Sequence, residues 1–138
     1  MFLRRRHGRD ELNIVVAGGN YGWPLFSYGR NYDQSAVSNM SEADARAVSV
    51  MPAKYWTPDN RVAPSGLLSL DGAFLFGALR QQHLLRYDPS TDVTQIVFAK
   101  VGRVRDVARM PSGKLLIAID RGSPKSADRG RIIEISPP

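Results

Sequence analysis

The chain has 138 residues, of which 43% are hydrophobic and 23% charged, and it carries a net charge of +6. That length and composition suit one soluble globular domain with its own core. It contains no cysteine, so no disulfide holds it, and no apolar run approaches the roughly 20 residues that a transmembrane helix needs.

The chain opens with MFLRRRHGRDELN. Arg4, Arg5, Arg6 and Arg9 account for much of the excess charge. The stretch lacks the apolar centre of a secretory signal, so the sequence as it stands predicts a cytoplasmic protein. A basic run can meet nucleic acid or an anionic surface. No helix-turn-helix, zinc-finger or RNA-binding signature accompanies it, so residues 1–10 read as a solvated basic tail and nucleic acid is not the expected partner. No membrane partner is expected either.

After the tail, ELNIVV (Glu11 to Val16) reads as a strand, with branched residues gathered at its end. GGNYGWPLFSYGRNYD (Gly18 to Asp33) follows, a loop with four glycines, a Trp-Pro and three tyrosines. SEADARAV (Ser41 to Val48) is the one convincing helix. Ser41 suits the N-cap, Glu42 and Asp44 suit the first turn, and Pro52 bars an extension. Asn39-Met40-Ser41 fits a glycosylation sequon, which has no secretion signal to give it meaning.

From Val62 the pattern changes to short strands separated by turns. SGLLSL (Ser65 to Leu70) leads into Asp71-Gly72, a strong hairpin signal. AFLFGAL (Ala73 to Leu79), HLLRYD (His83 to Asp88), VTQIVFA (Val93 to Ala99), VRDVARM (Val104 to Met110), LLIAID (Leu115 to Asp120) and RIIEIS (Arg131 to Ser136) follow in turn. The spacing predicts an all-β antiparallel architecture. Ser65 to Ala99 makes one four-stranded group, and a second group beginning at Val104 has three clear strands. Such groups suit propeller blades, although a small sandwich or barrel satisfies the same periodicity. Two blades cannot close a ring, and open blades leave apolar faces and strand edges. The chain is therefore expected to form a homo-oligomer through its blade edges.

Five collinear stretches carry a more specific signal. DELNIV followed by GGNYGWP, then VAPSGL, FLFGALRQQHLLRY, GRVRDVARMPSGKLLIAID and GRIIEISP together resemble the soluble pyrroloquinoline quinone (PQQ) dependent aldose dehydrogenases, the glucose/sorbosone dehydrogenase family. The resemblance runs from His7 to the end of the chain. It implies a partial six-bladed β-propeller of about two blades over residues 11–138, with a long Gly/aromatic-rich loop and one short helix. The implied ancestral activity is oxidation of aldose sugars to lactones with PQQ and calcium.

On that resemblance, Arg103 and Arg105 match an Arg-x-Arg pair that contacts the cofactor. Arg80 stands where the family usually has a cofactor-binding lysine. Arginine suits an anionic tricarboxylate because its planar fork matches a carboxylate. Residues two apart on a strand share a face, so both guanidinium groups are expected in one pocket. The segment matching the family's calcium loop, from His7 to Asn13, lacks the proline and both glycines after His-Gly, which argues against calcium. The family's catalytic histidine has no match. His7 aligns with the calcium loop, and His83 falls on a strand.

Three functions compete on these grounds: an enzyme fragment completed by other blades, a self-associating binding or structural module, and a nucleic-acid binder acting through the tail. The first predicts a groove shared by Arg80, Arg103 and Arg105. The second predicts those arginines exposed or paired with carboxylates.

Overall fold

The computed structural model describes residues 3–4, 9–56, 61–120 and 129–137. The chain divides into two compact units, Met1–Arg61 and Val62–Pro138. The boundary falls where the sequence changes to a strand-and-turn pattern.

In the first unit, β1 (Leu3–Arg4), β2 (Glu11–Leu12) and β3 (Lys54–Tyr55) form a small antiparallel sheet in the order β1-β2-β3. The predicted strand over Glu11–Val16 is cut short at Leu12. Asn13 turns fully inward, with its amide 3.4 Å from Glu11 Oε2. The Tyr21 hydroxyl then takes the backbone groups a ladder would need: Val16 N–H donates to it at 2.6 Å, and it donates to the Ile14 carbonyl at 3.0 Å. Ile14, Val15 and Val16 are consequently half exposed.

Helix α1 (Glu42–Val48) forms as the sequence predicts. Ser41 Oγ accepts from the Asp44 N–H at 3.1 Å, and Glu42 pairs with Arg46 one turn on at 2.6 Å.

The second unit holds two antiparallel sheets. β4 (Pro64–Leu70), β5 (Ala73–Ala78), β6 (His83–Asp88) and β7 (Val93–Phe98) lie in the order β4-β5-β6-β7. β8 (Arg103–Arg109), β9 (Leu115–Asp120) and β10 (Arg131–Ile135) lie in the order β10-β9-β8. These are the four-stranded and three-stranded groups of the sequence, and the fold class is the all-β, blade-like one expected. Turn chemistry sets the registers. Asp71 and Gly72 both take positive φ, 50° and 81°, as a tight hairpin requires.

The core lies between the two sheets. β9 alternates cleanly, with Leu115, Ile117 and Ile119 buried. They pack with Val104 and Val107 of β8 and with Leu70, Leu75 and Leu84 of the other sheet. Each such side chain stabilises the fold by about 1.5–3 kcal/mol through burial.

At the centre of the contact, Gly77 of β5 leaves room for β8. A Cβ there would sit 2.6 Å from both Val104 Cγ1 and the Val104 carbonyl oxygen. Gly77→Ala is therefore expected to lower unfolding stability by about 1–3 kcal/mol through overpacking, read by urea denaturation. An unchanged midpoint would show that the sheets do not meet this closely.

Candidate anion-binding site

The site begins with an irregularity in β8. Arg103 lies opposite Asp120 and Val104 opposite Ile119, but the register then shifts so that Asp106 faces Ala118. Arg105 is the extra residue. Val104 and Val107 both point inward although three residues apart, as a β-bulge allows. A second bulge faces it. β4 shifts register between Ser65 and Leu67, leaving Gly66 as its extra residue at φ +45°. A Cβ on Gly66 would lie 2.5 Å from Asp106 Cα, so the two bulges nest only because this residue is glycine. Ser65 Oγ donates to the Val104 carbonyl at 2.5 Å across the same junction.

On the outward face of β8 the two arginines converge on one carboxylate. Arg105 Nη2 donates to Asp120 Oδ2, and Arg103 Nη2 stands 3.8 Å from the same oxygen. Arg103 Nη1 donates to the Leu79 carbonyl at 3.3 Å, while its Nε is buried without a hydrogen-bond acceptor. The side chains of Arg103, Arg105 and Asp120 are 32%, 52% and 21% exposed. Alternation sets the two arginines on one face with Val104 inward between them, and the extra residue then turns Val107 inward as well. Two fixed cations thus face one carboxylate, leaving a net positive charge at a partly sheltered place.

Arg80 follows Leu79 in the turn after β5 and is exposed. Its backbone N–H donates to the Val62 carbonyl at 3.4 Å. Among the described residues its side chain makes no hydrogen bond or ion pair. The structure therefore joins Arg103 to Arg105 through their shared Asp120, and to Arg80 only through the chain neighbour Leu79.

Asp120 is the member that the sequence reading missed. Its signal was the PSGK turn: Met110 N–H and the Lys114 carbonyl close this hairpin at 2.8 Å, and counting back along it, past the bulge, sets Asp120 opposite Arg103.

His83 has a structural part, with Nδ1 accepting from the Lys100 N–H at 3.0 Å. His7 lies outside the described residues. Among the described residues no three His, Cys, Asp or Glu side chains gather as a metal site would need.

The Gly/aromatic loop shows what its composition serves. Tyr21 pins the preceding segment, and the Phe26 and Tyr28 rings meet edge to face at 4.9 Å. Tyr28 meets Tyr55 the same way, and the Arg9 guanidinium lies 4.9 Å from the Tyr28 ring centre. Phe26, Tyr28, Arg30 and Glu42 are among the walls of an open cleft of about 300 Å³. Burial, and then the nearby Glu42 carboxylate, raises the Tyr28 pKa. Tyr55 is raised further, by burial first and by the Glu11 charge second. Trp23 and Tyr32 are 42% and 82% exposed.

Comparison with known proteins shows the family of the chain. The family model for glucose/sorbosone dehydrogenase matches residues 6–132. The chain belongs to the glucose/sorbosone dehydrogenase family. It is 28% identical to the aldose sugar dehydrogenase YliI of Escherichia coli over 94% of its own length and 36% of that protein's. Among solved structures, a glucose dehydrogenase superposes with a TM-score of 0.74 at 26% identity, covering 98% of this chain and 40% of that one. The PQQ-bound form of an aldose sugar dehydrogenase from Streptomyces coelicolor shares the fold with a TM-score of 0.66 at 24% identity, over 94% of this chain and 36% of that one. The chain spans about a third of the length of the curated relatives it matches, 30% and 36%. Among the described residues no helix is long and apolar enough to cross a membrane.

Proposed function

We propose that this chain is the C-terminal portion of an aldose-oxidising propeller and keeps the anion-binding side of its PQQ site. In this reading residues 11–138 form the partial propeller, and the basic residues 1–10 precede it and lend β1 to its first small sheet. Family membership supports the reaction class. The observation that supports the site is the convergence of Arg103 and Arg105 on a single carboxylate oxygen.

A planar polycarboxylate needs fixed donors, and this pair supplies forked ones that stay charged at any physiological pH. Their present partner is itself a carboxylate, so the donor chemistry fits. Arg80 would add a third cation at the rim. Bound PQQ would supply the hydride acceptor for sugar oxidation. The protein's part is to orient that acceptor and balance its charge. No histidine here matches the family's base, so a single chain is expected to bind cofactor without turning over sugar.

A second reading is favoured by a separate observation. The arginines are already paired with Asp120, and apolar side chains stand out on the two edge strands β7 and β10. Val93, Ile96 and Ile132 are 44%, 55% and 71% exposed. In this reading the chain is a self-associating module whose copies cover one another's edges.

Two measurements separate the readings. Calorimetric titration of the purified chain with PQQ, with and without calcium, is expected to show binding that weakens about 10–100-fold in Arg103→Ala/Arg105→Ala, the cost of losing charged hydrogen bonds. No binding by the wild type would remove the first reading. Light scattering across a concentration series is expected to show mass growing beyond one chain. A stable monomer at the highest concentration would remove the second.

A further inference from the structure

The arginine pair is asymmetric in a way that its sequence does not suggest. Asp120 is the cross-strand neighbour of Arg103, yet its Oδ2 rests on Arg105. Arg105, the extra residue of the bulge, lies two residues along the same face and reaches it. Arg103 is left incomplete. Its Nη1 is engaged by the Leu79 carbonyl, its Nη2 is 3.8 Å from Asp120, and its Nε has no acceptor although buried.

Nε and Nη2 form one edge of a guanidinium, the edge on which a carboxylate docks with two parallel bonds. That edge of Arg103 is unfilled. A buried N–H without an acceptor is costly, so the protein gains if an acceptor arrives. An external ligand cannot reach Nε, which is closed to solvent. Asp120 can. Its oxygen needs to move only about 1 Å to come within hydrogen-bond distance of Nη2.

We infer that Asp120 is a positioning residue shared by the two arginines. It rests on Arg105 when no other anion is present, and it passes to the Nε–Nη2 edge of Arg103 when an anion takes Arg105. The transfer keeps Asp120 paired throughout and completes Arg103 as the half-exposed Arg105 turns to the ligand. It also offsets the desolvation of the incoming anion, because Arg103 loses its unsatisfied donor in the same event. Only the identity of that anion, PQQ, rests on the function proposed above.

Proton-detected nitrogen NMR of the arginine Nε–H groups tests this without depending on the cofactor. In the wild-type chain the Arg103 Nε–H resonance should report a donor with no acceptor. In Arg105→Gln, Asp120 loses the Arg105 guanidinium. The Arg103 resonance should move downfield and its exchange with water should slow. Adding Asp120→Asn should abolish the change. Arg105→Met, which keeps the apolar stem, serves if the glutamine variant folds poorly. An Arg103 resonance unmoved by either substitution overturns the inference.

Titrating the wild-type chain with PQQ forms the second arm. Binding that produces the same downfield movement supports the transfer, and binding that leaves the resonance in place overturns it. Failure of PQQ to bind removes the cofactor reading, and the Arg105 variants then decide the transfer by themselves.

Discussion

The contact of β8 with β4 and β5 is the constraint on which the second unit depends. Two β-bulges meet there, Gly66 against Asp106, and Gly77 lies against Val104 one strand over. Neither glycine can carry even a methyl group without displacing backbone. The contact is therefore steric before it is hydrophobic. Close approach lets Val104 enter the shared core, and the Ser65 hydroxyl satisfies the Val104 carbonyl that the irregular ladder leaves over. Packing and hydrogen bonding select the same register.

The chemistry follows from that register. A bulge inserts one residue, and here the residue is Arg105. With regular pairing, Arg103, Arg105 and Val107 would share one face, and either the core or the cation would be misplaced. The extra residue lets Val104 and Val107 both face inward while Arg103 and Arg105 approach one carboxylate. A packing device is thus also a device for holding two like charges together. Asp120 makes this tolerable, since two guanidinium groups at such a distance repel unless an anion lies between them. An inbuilt counter-ion of this kind lets the site form before any ligand arrives.

Much of this was legible in the sequence. Asp71-Gly72 and the PSGK turn announced hairpins through residues that accept left-handed backbone, and the strands on either side follow within a residue. Ser41 with Asp44 marked the helix start through its capping chemistry. Ile14, Val15 and Val16 misled, because branched residues favour strands only where a neighbouring strand is free to pair. The Tyr21 hydroxyl takes those backbone groups instead, and a contact five to seven residues away leaves no local trace. The arginine pair was legible as a pair, through its likeness to a family motif. Its partner was not, since finding Asp120 requires the register of β8 against β9 and hence the position of the bulge. A bulge depends on what packs against it, here a glycine 39 residues before Arg105.

Native-state hydrogen exchange tests this dependence most directly. If the nested bulges join the two sheets of residues 62–138 into one cooperative unit, slowly exchanging core amides of β5 and β9, such as Phe76 and Ile117, will open with the same free energy and the same denaturant dependence. Separate opening, with β8, β9 and β10 exchanging at markedly lower free energy than β5 and β6, would contradict it. The arginine pair would then sit on a sheet that the rest of the unit does not hold in place.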